Sequence, residues 1–560
     1  MRRNPWQEVV HALETEHVPF VFGLPGNAKH FYDQLYDSDS VRAVLVRHET
    51  SGAFMAMAYA RVTGRVGACY GCPGPGVANL VPGILEAYSG CTPVLALSVR
   101  ASTQTEGMGA FQETDHLGMM RPITKWAVTV ERPERTGWTI RRAIQIATSG
   151  KPGPVYVEIP ADIALQEVDM PEYVPAEPHL RPGPEIERVA ALDQMITSAE
   201  RPVMVCGGGA ILSRAFEEVQ KVSERYGLPV LATPAGRGIM PEDHPLFCGS
   251  VGLYRTEFPK HVYQSADLLI TLGSRMEEFQ SASFSYFPEG ARLVQIDIDP
   301  FEIGRNWVPD LAIQSDARLA LSHLLAVVRN EQPGGVERRM DQLAAERSAA
   351  LERMARYNDD DDLDGPVKPS RVVRSINQVF DRNTITVLEN GAADLWAYYW
   401  PFHQILDRDG LVPPAEQTAM GLGVCGAIGA KLAAPDRQVV CTTGDGAFQM
   451  GMHELPTAVD ERAPVTWIVF NDAALGWPNW TQRTALGGRE IATRFHTHFD
   501  FVAVATGAGC HAERVERARD LAGALERARN ANQSGVPAVV DVVIDPDDHH
   551  PGFHEFHEVR

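Results

Sequence analysis

The chain has 560 residues, 51 of them basic and 72 acidic, for a formal charge of −21. At about 150 residues per domain this length predicts three or four domains with cores of their own. Apolar residues at 44% and charged residues at 22% exclude wholesale disorder. The acidic excess argues against nucleic acid or an anionic membrane as main partner, and no stretch approaches the ~20 apolar residues that span a bilayer.

In chain order, short β-branched runs alternate with helical patterns, which predicts an α/β fold of parallel sheets flanked by helices. In the first unit, residues 1–170, the predicted strands are Pro19–Phe22, Ala43–Val46, Pro93–Ser98 and Val155–Glu158, with a helix over His48–Arg61. The prolines 171, 175, 178, 182 and 184 mark an extended linker. The second unit, residues 185–335, has strands at Pro202–Cys206, Pro229–Ala232, Leu268–Leu272 and Leu293–Ile296. A charged helix around Glu337–Tyr357 and the acidic run Asp359–Asp362 fall in a connector over 336–368.

The third unit, residues 369–548, has strands at Thr384–Leu388, Val439–Thr443, Val465–Phe470 and Ala538–Ile544, and a histidine-rich tail follows over 549–560. The first and third units share a rhythm, a helix end and proline running into the strands VLALSV and VTWIVF, which suggests a duplicated fold. The eight cysteines lie mostly inside apolar runs and read as reduced core thiols of a cytoplasmic protein. The Cys69–Cys72 C-x-x-C has no second pair at zinc-finger spacing.

The strongest local signal is Gly444-Asp445-Gly446 at the end of the strand QVVCTT. Two glycines let the backbone approach a phosphate, and an aspartate between them can hold a divalent cation bridging to it. One helix and one strand later, Asn471-Asp472 arrives at the same sheet edge. A second acid, Glu49, stands after the strand AVLV and opens a helix in Arg47-His48-Glu49. Alone, such a glutamate is an ordinary first-turn residue favoured by the helix dipole.

GDGAFQMGMHELPTAV resembles the diphosphate motif of thiamine diphosphate enzymes, GDG followed one helix and one strand later by NN. The resemblance extends over nearly the whole chain and is nearest to the acetohydroxyacid (acetolactate) synthases. It implies three doubly wound parallel-sheet domains: pyrimidine-binding, central and diphosphate-binding. It implies Mg²⁺ held by Asp445, Asp472 and the carbonyl of Ala474, with Gly444, Gly446, Ala447 and Gly391 at the diphosphate. Asp472 stands where the family has a second Asn, and Ala392-Ala393 where it has Gln-His.

RHE before a small-residue helix implies that Glu49 bonds the far pyrimidine nitrogen and drives the cofactor's own proton abstraction. AMGLGVCGAIGA resembles TMGFGLPAAIGA, so Met420 would bend the cofactor until its amine lies roughly 3 Å from the reacting carbon. GPGVANL places Asn79 near the pyrimidine, and Pro25 and Gly26 beside the thiazolium, with Asn27 where the synthases have Gly. AFQETD and RPITK imply that Phe111 and Gln112 reach the active site and that Lys125 lines its entrance. Trp477 and Trp480 would rebuild the substrate wall, with Thr481 where the synthases carry their selecting Trp.

ADLL through Gly273-Ser274-Arg275 and the run IDIDP resemble the central domain, but RMEEF replaces the flavin-contacting RFDDR, so FAD is left open and without support. The implied activity is decarboxylation of a 2-oxo acid with carboligation to a carbonyl acceptor, on a homo-oligomer whose sites form across subunits. Asn27 and Gln112 would act beside Glu49 at the reacting centre. Three alternatives stay open: a non-ligating decarboxylase, a C–C lyase, and a catalytically silent paralogue. A metal site in the tail residues His549, His550, His554 and His557 is a lesser reading, as is a NAD-dependent oxidoreductase.

Overall fold

The computed structural model describes residues 2–26, 29–177, 180–327, 334–356, 362–497 and 499–548. Asn27, the acidic run up to Asp361 and the four tail histidines lie outside the described residues. Three six-stranded sheets, each wholly parallel, carry the chain.

The first sheet comprises Phe20–Gly23, Arg42–Leu45, Gly67–Gly71, Val94–Arg100, Trp126–Thr129 and Val155–Pro160. Numbered in that sequence, its strands lie in the order 2-1-3-4-6-5. The third sheet comprises Ile385–Leu388, Leu411–Val412, Val439–Gly444, Thr466–Asn471, His511–Val515 and Ala538–Val543, and its order is the same. The shared rhythm of the two units therefore reflects a shared topology.

The middle sheet comprises Pro202–Cys206, Val230–Ala232, Phe247–Ser250, Leu268–Leu272, Arg292–Asp297 and Leu311–Gln314. Its order is 3-2-1-4-5-6, the doubly wound arrangement whose crevice opens at the carboxyl ends of the strands. Within the stretch expected as a connector, helix Val336–Arg356 seats Leu343 and Ala350 in the core of this middle unit.

The expected strands all appear, within one or two residues at each end. The strands that the pattern misses are short or polar: Gly67–Gly71 has glycine at both ends, and Trp126–Thr129 and His511–Val515 are edge strands with little buried surface. All eight cysteines are free thiols, and Cys69 and Cys72 are buried. Burial pushes the Cys69 thiol far up, which removes the thiolate that metal or redox chemistry needs.

The outer units meet through two helices, Glu49–Thr63 and Leu422–Ala433. Small residues allow the close approach: a methyl on Gly429 would collide with the Met55 carbonyl, and Gly426 lies against Ala58. The two helices belong to one continuous apolar core with Phe54, Met55, Val424 and Ile428. This contact sets both helix starts, and those starts carry Glu49 and follow Met420.

Candidate active site

Each outer unit presents one half of a site at the carboxyl edge of its sheet. In the first, strand Arg42–Leu45 runs into a corner where His48, at φ −153°, caps helix Glu49–Thr63 by accepting the Thr50 amide at 3.3 Å. Glu49 follows it, buried, and the Asn79 side chain donates to its Oε2 at 3.0 Å. Gly76 permits this approach, because a methyl there would stand 3.1 Å from Glu49 Oε1. Glu49 and Asn79, both singled out from the sequence, are thus one hydrogen-bonded pair.

Gly26 lies exposed beside Pro25 at φ +42°, and a methyl on it would collide with the Cys72 sulfur. Gln112 sits at φ +59°, against the Gly74 turn that opens helix Pro75–Ser89. Phe111 is 79% exposed, projecting from its loop without a core of its own to fill. Lys125 is half-buried and donates to the carbonyls of Ile146 and Ser149 at the end of helix Thr136–Thr148, and burial lowers its ammonium to about 8.

In the third unit a cavity of about 410 Å³ gathers the rest. Gly391, Met420, Gly444, Asp445, Gly446, Ala447, Asp472, Ala474, Trp477 and Trp480 all line it, joined by Tyr254 and Phe279 from the middle unit. Strand Val439–Gly444 pairs with Thr466–Asn471, so Asp445 and Asp472 leave the ends of adjacent strands. Asp445 is buried and its Oδ1 accepts the Gly446 amide at 2.8 Å.

Burial, then the charge of Asp472, pushes Asp445 up to about 8. Burial pushes Asp472 up to about 6, opposed by the Ala474 amide and by Arg494. A buried and a half-buried carboxylate facing one cavity are costly without a cation, and oxygen donors suit a hard divalent one. Among the described residues no group of three or more His, Cys, Asp or Glu could hold a metal, so the remaining ligands would be the Ala474 carbonyl and oxygens of a diphosphate. Methyls on Gly391 or Gly444 would meet nothing within 4 Å and would occupy cavity space. The donor set and the open glycine cradle fit a metal-bound diphosphate.

Glu49 is not among the residues that line this cavity. A smaller cavity of about 180 Å³ lies at the carboxyl edge of the middle sheet, lined by Gly207, Thr233, Ser274, Asp297, Ser315 and Glu416 among others. Ligand pockets commonly span about 300–1,000 Å³. Arg275 is taken up by Glu277 at 3.0 Å and by the Ser89 carbonyl at 2.9 Å. Burial and Glu277 push Glu416 up, and burial lifts Asp297 to about 6. A flavin finds no support in this small space, which acidic and basic side chains line together.

Comparison with known proteins accounts for the paired half-sites. Residues 6–119 match the thiamine pyrophosphate enzyme N-terminal TPP binding domain, 189–324 the central domain and 390–542 the C-terminal TPP binding domain. A probable acetolactate synthase large subunit of Methanocaldococcus jannaschii is 36% identical over 96% of this chain and 92% of its own. The acetolactate synthase large subunit of Corynebacterium glutamicum is 34% identical over 96% of this chain and 86% of its own.

The chain belongs to the acetolactate synthase-like family of thiamine diphosphate enzymes.

Membership in this family accounts for the equal strand order of the outer units, each matching a TPP binding domain. Residues that pattern reading passed over are carboxylates at the helix starts. Glu389 is fully buried and accepts amides of Asn390, Gly421 and Val424 at 3.0, 2.9 and 3.1 Å, the latter two at the helix start that follows Met420. Glu86 accepts the Ala415 and Ala419 amides, and Glu454 those of Arg47 and His48. Only Glu454 lay inside a recognised motif, and nothing in its spacing marks its partner.

Proposed function

We propose that the protein decarboxylates a pyruvate-like 2-oxo acid and ligates the retained fragment to a carbonyl acceptor, with thiamine diphosphate and Mg²⁺. The observation that carries this reading is the pair of half-sites on a chain similar to acetolactate synthase large subunits along its length: Glu49 with Asn79 on one unit, Asp445 with Asp472 on the other. Bound thiamine diphosphate supplies a nucleophilic thiazolium carbon and an electron sink for the departing carboxylate.

The protein's own part is positioning and proton control. Glu49 holds the proton of its hydrogen bond to the pyrimidine, and Asn79 keeps that carboxyl oriented. Met420 would support the cofactor. Asp445, Asp472 and the Ala474 carbonyl would hold the metal, while Gly391, Gly444, Gly446 and Ala447 would keep side chains clear of the diphosphate. Pro25 and Gly26 would lie beside the thiazolium. Gln112 would act at the reacting centre, and Phe111, Lys125, Trp477 and Trp480 would bound the substrate.

Glu49 is not among the residues lining the Asp445 cavity of its own chain, which supports a working site that takes Glu49 from one protomer and the metal half from another, in a homodimer or homotetramer. Eight free cysteines support a cytoplasmic place. Product analysis with pyruvate, thiamine diphosphate and Mg²⁺ tests the reading: acetolactate is expected, and acetaldehyde alone would replace carboligation by simple decarboxylation.

A further inference from the structure

The corner that presents Glu49 is not held by its own unit alone. Glu454, 1% exposed, comes from the third unit of the same chain, at the end of the segment that begins with the metal-site glycines. Its Oε1 accepts the backbone amides of Arg47 at 2.8 Å and His48 at 3.1 Å, the two residues immediately before Glu49. Its Oε2 accepts the Thr457 hydroxyl at 2.5 Å, which fixes the carboxylate plane. Thr457 in turn accepts from the Arg47 guanidinium at 3.2 Å, and Asp460 takes the other end of that guanidinium at 2.6 Å. His453 reaches Ser51 at 3.1 Å one residue beyond Thr50.

The relation is reciprocal. Glu86 of the first unit, fully buried, accepts the Ala415 amide at 2.6 Å and the Ala419 amide at 3.4 Å, and Ala419 directly precedes Met420. Each half of the cofactor machinery is therefore tied, at the residue before its functional side chain, to a buried carboxylate of the other outer unit. Amides at a helix start need acceptors, and a water would satisfy them as well as a carboxylate. A carboxylate from a different domain does more: it couples the direction of the helix start to the packing of the two units.

We propose that Glu454 is a positioning residue, which aims Glu49 by holding the Arg47 and His48 amides; the inference rests on the role of Glu49 given above. Reach, not charge, is what these contacts ask of Glu454: its hydrogen bonds run to two neutral amides and a hydroxyl, and burial lowers the pKa of the His453 ring that stands 3.5 Å from its Oε1, which favours the neutral imidazole. Two conservative variants separate these. Glu454→Asp keeps the charge and withdraws the oxygens by about one C–C bond, ~1.5 Å. Glu454→Gln keeps the reach and one acceptor oxygen for the amides, and its NH₂ can donate to Thr457.

The test follows hydrogen–deuterium exchange at the reacting carbon of thiamine diphosphate bound with Mg²⁺, beside the cofactor's dissociation constant. A displacement of about 1 Å costs up to about a hundredfold in rate, so Glu454→Asp is expected to slow exchange at least about tenfold while Glu454→Gln stays within about threefold of the parent. Cofactor affinity stays within about twofold in both, because the metal half is untouched. A Glu454→Asp protein that exchanges at the parental rate, or a Glu454→Gln protein as slow as Glu454→Asp, would overturn the proposal.

Amide hydrogen exchange of Arg47 and His48 in the cofactor-free protein provides the second measurement. Faster exchange at both amides in Glu454→Asp, with protection kept in Glu454→Gln, is expected; unchanged protection in Glu454→Asp overturns the strap. If the parent itself showed no exchange at the cofactor carbon, the proposed activity would fail while this second measurement still decided the role of Glu454.

Discussion

The Asn79 side chain donates to Glu49 Oε2 at 3.0 Å, across the strand–helix corner that ends Arg42–Leu45. The bond leaves Oε1 for another partner and holds the carboxyl in one orientation. Replacing Glu49 by Gln keeps the shape and removes the acid. Acid–base assistance commonly contributes about 10²–10⁴-fold, so Glu49→Gln is expected to lower turnover by at least about 100-fold with little change in cofactor affinity. Steady-state kinetics with a direct cofactor titration measures both; parental turnover in Glu49→Gln would sink the role.

The charge of Asp472 adds to burial in raising the cost of ionising Asp445 in the cavity they share. Asp472→Asn restores a neutral donor and removes that repulsion. The variant is expected to bind Mn²⁺ at least about tenfold more weakly, while the metal-free protein melts no lower than the parent. Calorimetric titration and thermal melts in EDTA read the two quantities separately. Asp445→Asn, at the more buried position, is expected to abolish metal binding.

Glycines 429 and 444 make a contrasting pair. A methyl on Gly429 collides with the Met55 carbonyl in the packed core, whereas a methyl on Gly444 meets nothing within 4 Å. Gly429→Ala is expected to lose about 1–3 kcal/mol of stability in denaturant unfolding. Gly444→Ala, with φ −74° in the parent, keeps its stability and loses cofactor affinity, because the added carbon stands in the diphosphate cradle.

Burial raises Glu86 from the ordinary carboxylate value of 4.5 to about 7, against the pull of the Ala415 and Ala419 amides. A carboxyl whose folded value is raised contributes stability that is complete below about 4.5 and is lost as pH rises through about 7. The loss is of the order of 3 kcal/mol. Melting temperatures between pH 5.5 and 8.5 are therefore expected to fall more steeply in the parent than in Glu86→Gln. Parallel curves would show that Glu86 is not the group responsible.

Much of the site could be read from local pattern because its parts are local. Gly444-Asp445-Gly446, the corner at Glu49 and the helix after Met420 are each set by a strand end, a helix start and a small residue, and those features occupy a few consecutive positions. The alternation of β-branched runs with helices specified the three units for the same reason, since strand and helix periods are properties of short segments. Lys125 adds what its motif does not show: its ammonium donates to the carbonyls of Ile146 and Ser149 at the end of helix Thr136–Thr148.

Amino-acid order by itself therefore determined which segments become strands and marked the side chains proposed to carry the chemistry. The fold alone decided that the two outer sheets share one strand order, that Glu49 is not among the residues lining the Asp445 cavity, and that Glu454, Glu86 and Glu389 serve backbone amides around Glu49 and Met420. The reason is physical. A glutamate's partner hundreds of residues away is chosen by how two domains pack, and a hydrogen bond to a backbone amide leaves no mark on the identity of the residue that donates it.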